Sequence, residues 1–376
     1  MNEDKATRYH RLKRQASVVS LIWSVFLLGS LVFTGWSASL RDIAERWAEP
    51  APAAFRNPLA VLIFVVFLSL LHEVAGFPLA FHSGFLLERR YDLSNESFRA
   101  WIVDQAKSLG VGLLLGAGAA ELVYASIRAW PIAWWLIGGV VFTALIVVLT
   151  NLAPVLLLPL FYSVKPLDRD ALRSRLLGLA ERAGARVLGA YEWGLGDKTK
   201  KANAALAGLG STRRILVSDT MLAEYSDDEI EVVLAHELAH HVHGDIWKGI
   251  AFESVLVIGG FYAASLVLRI AAGHAGLRGA DDVAGLPLLT LTAGAVSLAT
   301  VPVAHAMSRR FERSADRFAL DLTRNPDAFI SAMRRLGAQN LAEEEPSRLV
   351  QWLFYSHPPM RDRIAAAQAF AEPGRT

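Results

Sequence analysis

The sequence predicts a mainly α-helical protein: a polytopic membrane bundle of about six spans with a mixed α+β domain at its cytoplasmic face. Three observations predict it. Apolar blocks long enough to cross a bilayer recur six times along 376 residues, a crossing needing about 20 such residues. Between the fourth and fifth blocks the chain changes to ordinary globular punctuation, with turn residues between short apolar runs. A stretch inside this globular region, VVLAHELAHHVHGD at 232–245, sets four histidines, a glutamate and an aspartate into an aliphatic helical pattern.

Composition narrows the function classes. Hydrophobic residues make up 53% of the chain and charged residues 20%, which is too apolar for an ordinary soluble protein. The formal net charge is +2. That gives no basic field, and a nucleic-acid partner is excluded on this ground. Cysteine is absent, so any metal must be held by His and carboxylates.

The spans are placed at 17–39, 58–81, 101–126, 131–155, 250–271 and 286–306. The first is longer than the apolar core of a cleaved signal peptide, and Trp36 stands where a small cleavage-site residue is wanted. Lys5, Arg8, Arg11, Lys13 and Arg14 precede it and place the N-terminus in the cytoplasm. Alternation then puts 88–99, 165–248 and the C-terminus inside, and the loops 40–57 and 272–285 outside. His72, Glu73, Glu121 and Glu253 fall within spans. Charges are costly there, so these groups face an interior cavity, pair with each other or snorkel to the interface. The chain divides into a membrane region of about four spans at 1–160 and a second domain at 161–376, interrupted by a two-span hairpin at about 250–306.

In the globular region, 168–185 reads as an amphipathic helix. VLGAYEWG, KANAALAGLG and STRRILVSD read as short strands, the last two joined by a Gly-Ser turn. Ser226 and Glu229 have capping-box spacing ahead of an apolar-periodic run, and Gly244 is a stop. The histidine stretch therefore lies on one helix. After the last span, 308–323 reads as a further helix, stopped by Asn325-Pro326, and more helix follows with a break at SHPPM.

His236-Glu237-x-x-His240 on a helix is specific. Residues at i and i+4 share a face, so both imidazoles can point at one ion, while Glu237 can reach a water on that ion without ligating it. His241 points about a quarter turn away, and His243 lies about 10 Å along the helix from His236. Both are read as interfacial residues or as supports of the ligands. A third ligand must come from elsewhere. Glu312, in SRRFERSAD at 308–316, follows the sixth span as closely as His240 precedes the fifth. The hairpin of those two spans returns Glu312 to the side where His236 and His240 sit. The plainer reading of Glu312 and Asp316 is a charged face balanced by Arg309, Arg310, Arg313 and Arg317, and the topology argues against it. His236, His240 and Glu312 make a His₂Glu set suited to one zinc per chain, with an open position for water. Asp316 can accept from a ligand histidine and fix its tautomer.

These segments together resemble the type I CAAX prenyl proteases, integral-membrane zinc metalloendopeptidases of the gluzincin group. The likeness runs from about Leu59 onward. It is carried by FHSGFLLERRYDLSNES, PLFYSVKPL, NAALAG, RILVSDTML ahead of H-E-x-x-H, SRRFERSAD and HPPMRDRI. The resemblance implies a zincin-like metalloprotease domain, an edge strand at Asn203 and Ala204 that pairs with extended substrate, and a His357 that faces the zinc and steadies the oxyanion. Read from the sequence alone, His357 is a histidine before two prolines with a structural role. Arg363 is a further candidate for the same substrate-facing region. Gly244-Asp245 stands where the family has Gly-His, and an N-terminal span of its eukaryotic members is lacking. The Ala- and Arg-rich composition suggests a bacterial cell membrane.

The expected reaction is zinc-assisted peptide hydrolysis with Glu237 as base. The expected partners are the lipid bilayer and a peptide or membrane-associated protein substrate reached from the cytoplasm; no oligomer is specified. An HtpX-type quality-control endopeptidase is the alternative of the same class. A catalytically silent scaffold or transporter is the other, and it would most simply have lost Glu237.

Overall fold

The structure is a computed structural model that describes residues 4–208, 213–274 and 276–372. The Gly-Ser turn expected at 210–211 lies outside them. The first helix, α1 (Lys5–Phe33), starts at Asp4, whose carboxylate accepts the Thr7 N–H at 2.9 Å. The basic tail and the first apolar block are thus one helix. It ends at Phe33 rather than 39, because Gly35 takes φ 78°, a left-handed value open to glycine. The chain restarts as α2 (Trp36–Ala48), a short amphipathic helix where a loop was expected.

α3 (Ala53–Ala80) continues through a π-helical turn at Phe81–Leu86 into α4 (Leu87–Arg90). Then come α5 (Phe98–Ala129), α6 (Trp134–Leu156) and the single turn α7 (Leu158–Phe161). Among the described residues five helical runs are long and apolar enough to cross a membrane: Lys5–Phe33, Ala53–Arg90, Phe98–Ala129, Asp245–Ala271 and Val283–Thr323. Trp134–Thr150 is a shorter apolar helix among the described residues, at the place of the fourth expected span. Phe64, Tyr124, Trp134 and Leu268 lie in the bundle core.

Contacts sort the loops into two ends. At one end Arg41 donates to Asp282 at 2.5 Å and Ser37 to Ala284 O at 2.6 Å, which joins α2 to the loop before the last long helix. At the other end Tyr9 donates to Glu88 at 2.6 Å, and Lys201 of the globular region reaches the same carboxylate at 3.0 Å. Arg14 meets Glu343 at 2.5 Å. The N-terminal turns, the segment after α3 and the globular region therefore share an end.

The globular region holds one sheet. β1 (Val164–Pro166) is followed by α8 (Asp170–Arg182), β2 (Ala190–Trp193), β3 (Ala204–Ala207) and β4 (Arg214–Ser218), in the order β1-β2-β4-β3. β2 and β4 are parallel; β1–β2 and β3–β4 are antiparallel, with Ala204 opposite Val217. β3 is thus an edge.

A short α9 (Asp219–Glu224) leads into α10 (Asp227–Val242), which is buried from Glu229 to His236 without interruption. A helix cannot satisfy its own first N–H groups, and its start is secured by a full capping box. Ser226 accepts the Glu229 N–H at 3.2 Å, and Glu229 accepts the Ser226 N–H at 2.8 Å. Ser226→Ala is expected to cost about 1 kcal/mol, read as a lower thermal midpoint of the solubilised protein. An unchanged midpoint would mean that the Glu229 contacts to Ser331 and Arg335 hold the helix start by themselves.

Gly244 ends α10 with φ 68° and turns the chain into α11 (Asp245–Ala271). The chain returns as α12 (Leu286–Thr323), 38 residues in one helix. The sixth span and the helix expected at 308–323 are therefore continuous. α13 (Pro326–Gln339), α14 (Arg348–Phe354) and α15 (Met360–Ala371) close the chain. Leu172, Ile215, Leu234, Leu320 and Phe329 share one core that packs α10 against the sheet, α12 and α13.

Candidate metal centre

α10 presents His236 and His240 on one face, with ring centroids 5.1 Å apart. The unbroken α12 carries Glu312 to them. Its Oε2 lies 3.3 Å from His236 Nε2, and its Oε1 lies 3.5 Å from His240 Nε2. One ligand atom from each of the three lies within 4.8 Å of the others. Glu312 Oε2 is buried with no hydrogen-bond partner, which is unfavourable for a carboxylate unless a cation completes it. Two imidazole nitrogens and a carboxylate oxygen suit zinc, so the residues fit the expected ion.

The other ring nitrogens are held. His236 Nδ1 lies 2.9 Å from Asp316 Oδ1. A carboxylate accepts, so Nδ1 carries the proton and Nε2 keeps its lone pair for the ion. Asp316 is held in turn by Arg363, at 2.9 Å through Nε and 2.5 Å through Nη2. His240 Nδ1 lies 3.1 Å from Asp245 Oδ2, and Lys248 meets the same carboxylate at 2.9 Å. Asp245 is buried. Sequence reasoning noted this aspartate only as a departure from the Gly-His pattern. Its signal was position: the αL glycine before it swings the first residue of α11 back under His240.

The electrostatics are those of a cation site. Burial works to lower the His236 imidazole, but the Asp316 and Glu312 carboxylates beside it outweigh burial and lift it to about 9. An entering ion replaces that proton. Burial raises Glu237 above the ordinary carboxylate range, opposed by His236 and His240. Burial lowers His357, whose Nε2 lies 3.2 Å from Glu312 Oε1.

A cleft of about 340 Å³ opens beside the cluster, lined among others by His236, Glu237, His357, Asn203, Ala204 and Arg363. The residues singled out in the sequence thus converge, from α10, β3, α12 and the 355–363 segment. Arg363 is 7% exposed; it bonds Asp316 and its Nη2 lies 3.2 Å from His236 Nδ1, so it stands behind the ligands as well as beside the cleft. His241 and His243 point elsewhere: His241 Nε2 lies 3.2 Å from Leu206 O, and His243 Nδ1 lies 3.3 Å from Ser314 Oγ. Burial lowers His241 to about 4, so its ring is neutral and Nε2 donates to that carbonyl. Within the bundle, His72 Nε2 meets Ser24 at 3.0 Å, and His72 and Glu73 line a separate cavity of about 510 Å³.

Comparison with known proteins agrees with this geometry. The family model described as peptidase family M48 matches residues 166–371, and that described as the CAAX prenyl protease N-terminal region, five membrane helices, matches residues 2–163. The chain is 29% identical over 367 residues to the uncharacterised metalloprotease YhfN of Bacillus subtilis, covering 96% of this chain and 84% of that one. It is 29% identical over 196 residues to CAAX prenyl protease 1 of Saccharomyces cerevisiae, covering 52% of this chain and 43% of that one. The crystal structure of S. mikatae Ste24p superposes with a TM-score of 0.85 at 22% identity, covering 96% and 87% of the two chains; that likeness is one of fold.

Proposed function

The chain belongs to peptidase family M48, and on that premise we propose that it is a membrane-embedded zinc metalloendopeptidase acting on peptides or membrane-associated proteins, of the kind that its likeness to the CAAX prenyl proteases implies. The observation that carries the reading is Glu237 lining one cleft with His236, beside the convergent set of His236, His240 and Glu312. A zinc ion bound there would acidify a water and polarise the scissile carbonyl.

Every other step belongs to the chain's own groups. Glu237, raised by burial, takes the proton of the attacking water and hands it to the leaving amine. His357, at the open side of Glu312, faces the developing oxyanion. Asp316 and Asp245 hold the two ligand imidazoles in the tautomer that frees Nε2, and Arg363 keeps Asp316 ionised and in place. Ala204 on the β3 edge receives the substrate backbone.

The active site is proposed to face the cytoplasm. The N-terminal turns share an end with the metal-bearing region, and those turns are basic. A protease so placed takes a flexible tail from the cytoplasm while the rest of its substrate stays in the membrane. Two single-cysteine variants test the orientation, since the parent has no thiol. In intact cells a membrane-impermeant maleimide is expected to label Ala280→Cys and to spare Ser226→Cys. The reverse pattern inverts the topology and ends the proposal of cytoplasmic access.

A further inference from the structure

Among the described residues the free edge of β3 is closed at Ala202 and at the Leu206 carbonyl and open at Ala204. In an antiparallel ladder the polar groups of alternate residues point to opposite sides. Ser218 N–H donates to Asn203 O at 2.9 Å, so Asn203, Ala205 and Ala207 turn their backbone toward β4. Ala202, Ala204 and Leu206 turn theirs to the free edge. The contacts agree. Asn340 takes both groups of Ala202, its Oδ1 accepting the N–H at 3.1 Å and its Nδ2 donating to the carbonyl at 3.3 Å. Gln339 donates to Lys200 O at 2.8 Å. On the other side His241 occupies Leu206 O at 3.2 Å. Ala204 N–H and C=O take no partner among the described residues, and Ala204 lines the cleft with His236 and Glu237.

Covering an exposed strand edge guards against aggregation. A guard alone would not leave its gap at Ala204, beside His236 and Glu237, while closing Ala202, which lines the same cleft. We propose that Asn340 and His241 are positioning residues that clamp the β3 edge, so that an added peptide strand docks both backbone groups of a single residue, opposite Ala204. Asn340 closes Ala202 on one side and His241 closes the Leu206 carbonyl on the other, so neither takes up a second peptide N–H. The peptide residue beside the metal cleft is thereby held by the backbone of β3 as well as by side-chain pockets.

This inference rests on the peptidase reading, and a binding experiment separates the two. Decapeptides are selected by retention on immobilised, zinc-loaded Glu237→Gln protein. A retained peptide is then N-methylated at one residue at a time. Methylation at one position is expected to weaken binding about tenfold, by removing the bond to Ala204 O, with the positions two residues away indifferent. Adding His241→Phe or Asn340→Leu to the Glu237→Gln protein is expected to make a position two residues away sensitive as well, on opposite sides in the two variants. Thermal midpoints and zinc content report whether each variant is folded. Sensitivity at no position, at alternate positions before any clamp is removed, or unchanged by both clamp variants overturns the inference, as does a protein that retains no peptide. Hydrolysis of the retained peptides by the wild-type chain is scored separately. Retention without hydrolysis ends the peptidase reading and leaves the methylation scan to decide the edge.

Discussion

Glu237→Gln is expected to bind zinc as the wild type does and to lose about 10²–10⁴-fold in peptide turnover, the range that general acid–base catalysis supplies. The side chains are nearly isosteric, and Glu237 is not among the three groups that converge on the ion. The metal site should therefore survive. An amide cannot accept the water's proton at neutral pH, so the loss should fall on kcat more than on KM. Turnover within about tenfold of the wild type, at full zinc content, would assign the base elsewhere. Loss of zinc as well would show that Glu237 also supports the ligands.

The second large effect concerns the ion itself. His240→Ala and Glu312→Ala are each expected to abolish stoichiometric zinc while the protein still inserts into the membrane, because the bundle core and the metal centre are separate sets of contacts. Asp245→Asn is the graded companion. It keeps size and burial but replaces the charged acceptor of His240 Nδ1, and a roughly 10–100-fold loss in zinc affinity is expected. Metal analysis and competition with a chromogenic chelator measure all three. Full zinc in Glu312→Ala would move the third ligand to another carboxylate, with Asp316 the nearest. Unchanged affinity in Asp245→Asn would leave that carboxylate a role in α11 alone, through Lys248.

Much of this molecule is written in neighbouring residues. The spans are visible because lipid demands long apolar runs. The start of α10 is visible because a capping box needs Ser226 and Glu229 three apart, and the structure forms both of its bonds. The histidine pair is visible because helical periodicity alone puts i and i+4 on one face. Even Glu312 was reachable, since a hairpin of two spans must return to its own side of a bilayer.

Tertiary structure decided the rest, where the partners of a group lie far away along the chain. Asp245 follows His240 closely, yet only the left-handed turn at Gly244 brings its carboxylate beneath the ring. Arg363 was placed near the substrate by its position after His357; the fold turns its guanidinium onto Asp316, 47 residues earlier. The helix α2 and the continuity of α12 also escaped the sequence reading, because Gly35 and the end of the sixth apolar block mark changes of solvent rather than of local geometry alone. The β3 clamp was the least legible. It depends on which backbone groups face outward, which is set by the register with β4, and on Asn340, 138 residues from Ala202. Periodicity records what a residue's neighbours require of it; a register or a long-range hydrogen bond exists only once the chain has folded back on itself.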